Sequence, residues 1–227
     1  MARTLDPVAH AFKRDAFVEA GQRLIATKGY EQLSIQDILD ELGASKGAFY
    51  HYFDSKQALL RAVIDRITEA AAATMAPVVE DPHLTAVEKL RGTFGALAQW
   101  KGERRELMLE LLRVWFSDDN TVVREHLRSA AGTRLTEPLT AIIRQGAAEG
   151  TFTVTSPRHA AGVVVAVIMG ANETFSRLFL ARQAGAVTFE EVERTGAAYA
   201  EALERIVGLP PGTWPLTDAA TLHTWFD

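Results

Sequence analysis

Apolar residues recur along this chain at spacings of three and four, punctuated by turn residues, with no sustained strand-like alternation. The β-branched run from Val163 to Val167 sits inside a longer apolar segment that opens with Ser156 and Pro157, a capping residue and a first-turn proline. It therefore reads as helix. Asp6 and Pro7 open a first helix that runs to about Lys28, where Gly29 stops it. Ser34 followed by Asp37 resembles a capping box and opens a second; Ser55 caps a fourth. Thr85 with Glu88, and Thr188 with Glu191, are capping boxes that open helices near the middle and the C-terminus. Asn120 to Glu149 reads as one long helix with a bend or break at Gly132 and Pro138. The last regular helix ends at Gly208, and a tail follows to Thr224, Trp225, Phe226 and Asp227. The fold class is all-α.

The character of the helices changes near Ser55. Before it they are short and joined by tight turns; after it they are long and rich in apolar residues. This divides the chain into a three-helix head, residues 1–54, and a larger helical body, residues 55–227.

Within the head, Ile35, Ile38, Leu39 and Leu42 form one apolar stripe, and Gly43 follows where a left-handed residue ends the helix. Ala44 and Ser45 start another helix at once, and two short helices around a glycine-containing turn make a helix-turn-helix. On the third helix, Phe49, Tyr52 and Phe53 fall together and face the stripe. Gly47, Tyr50 and His51 fall on the other side, flanked by Lys46 and Ala48. That face suits a major groove, because Gly47 admits a close backbone and Ser45, Lys46, Tyr50 and His51 all donate hydrogen bonds. A solvated face of a small helix would look much the same.

Charge does not decide between these. The net charge is −5, and up to Lys56 seven Lys and Arg stand against eight Asp and Glu. Any contact with DNA must come from a few placed donors, not from a broad basic field. The absence of cysteine excludes disulfides, zinc thiolates and thiol nucleophiles. The longest apolar stretch, Ala160 to Ala171, is shorter than the roughly 20 residues of a membrane span. The N-terminus lacks a signal-peptide run, so a soluble cytoplasmic protein is expected.

The stretch from Gly29 and Tyr30 through Ser34 to Ile38, then Leu42, Gly43, Ser45, Lys46, Gly47, Tyr50, Tyr52, Phe53, Ser55 and Lys56, closely resembles the DNA-binding head of the TetR (tetracycline repressor) family. Glu149 to Phe152 followed by Ser156 and Pro157 is similar to the family's turn into its eighth helix. The resemblance implies phosphate contacts for Ser34, Lys46, Tyr50 and Lys56, and base or backbone reading by Ser45, Gly47 and His51. Lys56 has separate support as a cation beside a helix N-terminus. The arm before the first helix offers only Arg3, a departure from the pattern. The family further implies a homodimer on a palindromic double-stranded operator, and a body that senses a small, largely apolar effector, with repression relieved on binding. An isologous dimer is independently the arrangement that presents two reading helices to a palindrome.

In the body, Phe94, Trp100, Met108, Leu112, Trp115 and Phe116 either line an apolar pocket or fill a core. Asn172 and Glu173 interrupt an apolar helix; if buried, they anchor a ligand or satisfy each other across an interface. Ala161, Val164, Val165, Ile168, Val192 and Tyr199 are candidate dimer contacts, or else intrachain core. No enzyme, cofactor or metal centre is expected. The Gly43 to Gly47 stretch matches a hydrolase nucleophile elbow, but a helix precedes it where the elbow needs a strand. The six histidines are scattered, without ligand spacing on one helix.

Overall fold

The computed structural model describes residues 7–116, 121–214 and 219–226, and these are helical throughout their regular segments. Eleven helices follow in order among them: α1 (Pro7–Lys28), α2 (Ile35–Leu42), α3 (Lys46–Tyr52), α4 (Lys56–Ala73), α5 (Ala76–Glu80), α6 (Ala86–Gly102), α7 (Arg105–Phe116), α8 (Thr121–Ala148), α9 (Pro157–Gln183), α10 (Phe189–Val207) and α11 (Ala219–Phe226). Arg3 of the arm and Asp6, Asn120 and Asp227 of the expected boundaries lie outside the described residues.

The chain forms two compact units. The first comprises residues 1–68 and 104–127, the second residues 69–103 and 128–227. In the first, α1 packs on α2 and α7. Its core joins Phe17, Ile25, Ile38, Phe49, Leu60 and Val63, all nearly inaccessible to water. Leu107, Leu111 and Val114 give α7 a buried face of its own.

In the second unit, α9 packs along α10, and the core gathers Leu90, Leu139, Ile143, Val164, Leu203 and Trp214. The ring of Phe152 lies where a Cβ on Gly146 would stand, 2.3 Å from that position, so this crossing requires glycine. Glu204 is 2% exposed, and its carboxylate accepts the amides of Gly212 (3.1 Å) and Trp214 (2.6 Å). A buried carboxylate is tolerable only with such donors. Together they fold the segment after α10 back onto the core, where Trp214 meets Phe94 at 5.2 Å between ring centroids.

Two expectations require correction. First, α8 is not broken at Gly132 or Pro138 but is one helix from Thr121 to Ala148 with Pro138 inside it. An interior proline costs about 3 kcal/mol, but burial of Leu139, Ile142 and Ile143 just beyond it returns about 1.5–3 kcal/mol each and outweighs that cost. Second, the C-terminal stretch contains a helix. Leu222 and Phe226 of α11 bury themselves with Val192 against Phe175, Leu178, Phe179 and Phe189. Arg182 donates to the Phe226 carbonyl at 3.0 Å and ties off the helix end.

Candidate nucleic-acid interface

The helix-turn-helix is built by its caps. Ser34 accepts the Asp37 amide at 3.2 Å, while the Asp37 carboxylate accepts the Ser34 amide (2.8 Å) and hydroxyl (2.7 Å). Lys28 reaches across from the end of α1 to the same carboxylate at 2.7 Å. Held first by Lys28 and then by Ser34, Asp37 stays ionised well below the usual carboxylate range. At the other end of α2, Gly43 adopts φ +59°, and the Ala44 amide turns back to the Leu39 carbonyl at 2.9 Å. Ser45 then caps α3 by accepting the Ala48 amide at 3.2 Å.

Two faces follow on α3. Phe49 is fully buried, edge-on to Phe17 with centroids 5.7 Å apart, and Phe53 closes the cluster at 5.8 Å from Phe49. Ser45, Lys46, Gly47, Tyr50 and His51 remain exposed on the helix and its cap. Tyr50 is 45% exposed, unusual for an aromatic ring of a small helix, and Lys46 stands over it with Nζ 6.0 Å from the centroid. A Cβ on Gly47 would meet nothing closer than Ser45 Oγ at 4.0 Å, so packing within the chain does not require glycine there.

The other two expected contacts are placed differently. Ser34 already donates its hydroxyl to Asp37. Lys56 donates to the carbonyl oxygens of Tyr30 and Leu33, both at 3.0 Å, at the start of α4. The structure adds His10 of α1, whose ring lies 5.4 Å from His51 and 4.7 Å from Tyr52. Its distance in sequence left no local signal for this contact.

The body residues are also dispersed. Phe94 and Trp100 are buried on α6, Phe94 within the core of the second unit. Met108, Leu112, Trp115 and Phe116 occupy one half-buried side of α7 in the first unit, and the Trp115 indole N–H is buried with no hydrogen-bond partner among the described residues. Asn172 is exposed, and Glu173 pairs with Arg177 one turn along α9, so neither is the buried polar group that the sequence suggested. Ala161, Val164, Val165, Ile168 and Val192 are packed inside the chain's own core. Tyr199 is half-buried, its hydroxyl 2.9 Å from that of Thr174. The open stripe of α9 is instead Gly162, Val163 and Ala166, which line a shallow depression with Thr136, Arg158 and His159. Among the described residues no three acidic or histidine side chains gather as a metal set.

Residues 17–63 match the model of bacterial regulatory proteins of the tetR family. The chain is 50% identical over 52 residues to an HTH-type transcriptional regulator in the lacX 3' region of Lactococcus lactis, covering 23% of this chain and 26% of that one. It is 31% identical over 99 residues to the HTH-type transcriptional repressor DhaR of Mycobacterium sp. strain GP1, covering 44% and 46%. The matches thus span less than half the length of these relatives. The fold is similar to that of RolR solved without ligand, with a TM-score of 0.61 at 17% identity over 92% of this chain and 95% of that one. On the strength of this match, residues 17–63 form a helix-turn-helix of the TetR family of bacterial regulatory proteins.

Proposed function

We propose that this protein is a transcriptional regulator that reads a palindromic operator through α3, working as a homodimer and acting as a repressor. The open face of α3 carries this reading. It leaves Lys46 and Tyr50 exposed as donors beside Gly47, a glycine that intrachain packing does not explain. Glycine within a helix costs up to about 1 kcal/mol relative to alanine, so close approach of a partner backbone is a reason to keep it. Lys46 and Tyr50 contact phosphates; Ser45, Gly47 and His51 face the base edges. Ser34 and Lys56 contribute through the amides and loop they hold at the ends of α1, α2 and α4. The relative DhaR, named a repressor, supports the direction of the effect. The domain assignment is a DNA-binding head at 1–54 and a sensing and dimerising body at 55–227, with the protein in the cytoplasm.

The dimer contact is assigned to the open side of α9. This helix is long and apolar enough to cross a membrane by length and composition, yet only 22% of its most apolar window is buried within the chain. Val163 is 51% exposed between Gly162 and Ala166, where small residues admit close helix packing. A second copy covers that surface and sets the two α3 helices for successive major grooves, about 34–36 Å apart. A small, largely apolar molecule bound in the body favours a conformation in which that spacing is lost. Gel mobility shift of the full chain on the DNA flanking its own gene is the test. A specific shift at moderate salt is expected; equal binding to scrambled duplex would overturn the reading.

A further inference from the structure

Helix α1 turns one face towards α3, and the first residue of that face is a histidine. Positions 10, 14 and 17 follow the spacing of a single helical stripe. Phe17, 4% exposed, meets the rings of Phe49, Tyr52 and Phe53 at 5.7, 5.8 and 6.3 Å between centroids. The Arg14 guanidinium stands 5.2 Å over the Phe53 ring. His10 completes the stripe beside the C-terminal end of α3. Its ring lies 5.4 Å from that of His51, inclined at 74°, and 4.7 Å from that of Tyr52, inclined at 57°. His51 and Tyr52 are themselves 4.8 Å apart at 80°.

The three rings therefore meet pairwise. Tyr52 ties the group to the core through Phe17, and His10 closes it from α1. His51 is the exposed member, in the last turn of α3. An exposed side chain at a helix end is ordinarily free to change rotamer, whereas a donor that reads a base edge must keep one direction. Here His10 and Tyr52 supply the restraint. The imidazole nitrogens of His51 form no hydrogen bond or ion pair among the described residues, so the ring is held while its donor stays available. His10 is half-buried and among the described residues uses its ring only for these contacts. It precedes residues 17–63, so the match to the tetR family does not account for it.

We propose that His10 is a positioning residue for sequence reading: with Tyr52 it fixes the His51 imidazole towards the base edges, without itself contacting the duplex. The proposal rests on the operator reading above, in which His51 faces the bases, and deepens it by naming what sets the precision of that contact. A side chain already ordered in the free protein loses less freedom on binding. It also discriminates more sharply, because a wrong base cannot be met by a second rotamer.

Random duplex pools are selected on the full chain as wild type, His10→Ala, His10→Phe, His51→Ala and the double variant His10→Ala, His51→Ala, and base preference is read position by position. His51→Ala should reduce discrimination about tenfold at one base pair of each half-site and leave the others. His10→Ala should reduce it about threefold at that same base pair, the scale of one side chain left to be ordered on binding. His10→Phe keeps a ring in place and should stay near wild type, and His10→Ala should add nothing once His51 is gone. In the free protein, the His51 ring-proton resonances should lose their ring-current displacement in His10→Ala and retain it in His10→Phe. Circular dichroism of each variant confirms that it is folded.

A loss spread evenly over all positions in His10→Ala, or its full effect persisting in the His51→Ala background, would overturn the proposal. So would His51 resonances unmoved by His10→Ala, or an unchanged base profile in His51→Ala. A His10→Phe variant as poor as His10→Ala, with a lower salt slope, would place His10 on a phosphate instead. A wild type that enriches no sequence sinks the operator reading and the proposal together. A palindrome enriched alike by wild type and His10→Ala upholds the operator reading and removes His10 alone.

Discussion

Lys56 sits over the ring of Tyr30, its Nζ 4.3 Å from the centroid, and donates to the Tyr30 carbonyl at 3.0 Å. One side chain thus clamps the α1–α2 turn to the start of α4, with a second bond to Leu33 at 3.0 Å. Lys56→Ala is therefore expected to destabilise the protein by about 1–3 kcal/mol through the orphaned carbonyls and the lost cation–π contact. Urea unfolding measures it. Loss of DNA affinity at unchanged stability would instead place the ammonium on a phosphate.

Lys46 has no such commitment to the backbone and stands at the exposed end of α3. Lys46→Ala should lower DNA affinity for every sequence and reduce the slope of log K against log salt by about 1. Fluorescence anisotropy across a salt series reads it, and an unchanged slope excludes the phosphate contact.

Gly47 separates stability from function. Gly47→Ala meets no obstacle within the chain and should stabilise α3 by up to about 1 kcal/mol. The same methyl should weaken operator binding by obstructing the groove. Opposite signs in thermal melting and DNA affinity support the interface; unaltered affinity opposes it.

The acid limb of stability depends on Asp37, depressed first by Lys28 and then by Ser34. A carboxyl whose folded pKa lies below its unfolded value, about 3.9, stabilises the fold above that value and loses the contribution as pH falls through the folded one. Asp37→Asn should lower Tm at neutral pH and flatten its fall between about pH 5 and pH 2. Parallel wild-type and variant curves would show that the pair is inert.

Val163, half-exposed on the open side of α9, is the position for testing self-association. Val163→Asp should convert a dimer into a monomer in sedimentation equilibrium and leave the helical content unchanged. A dimer that persists with wild-type affinity puts the contact elsewhere.

The local rules were the legible part. Capping at Ser34 and Thr85, the glycine turn at Gly43 and the two faces of α3 all depend on residues within one or two turns of each other, and the structure has them as expected. Long-range partners were not legible. Lys56 reads as a cation beside a helix end, and only the tertiary fold turns it towards Tyr30, 26 residues away. The apolar positions of α9 are regular, but periodicity does not say which belong to the chain's own core. Ala161, Val164 and Ile168 do, and Val163 does not. Helix α11 has no clear local signal, because prolines 210, 211 and 215 precede it and its apolar face has meaning only against Phe175 and Val192.

Selection of bound duplexes from a random pool, carried out on wild-type protein and on a Lys46→Ala, Tyr50→Ala variant, tests the central claim directly. The wild type should enrich a palindrome with half-sites about one helical turn apart, at 10–10.5 base pairs or a multiple. The variant should enrich nothing. A pool left unenriched by the wild type at moderate salt, or the same palindrome recovered by the variant, would contradict the assignment of α3 as the reading helix.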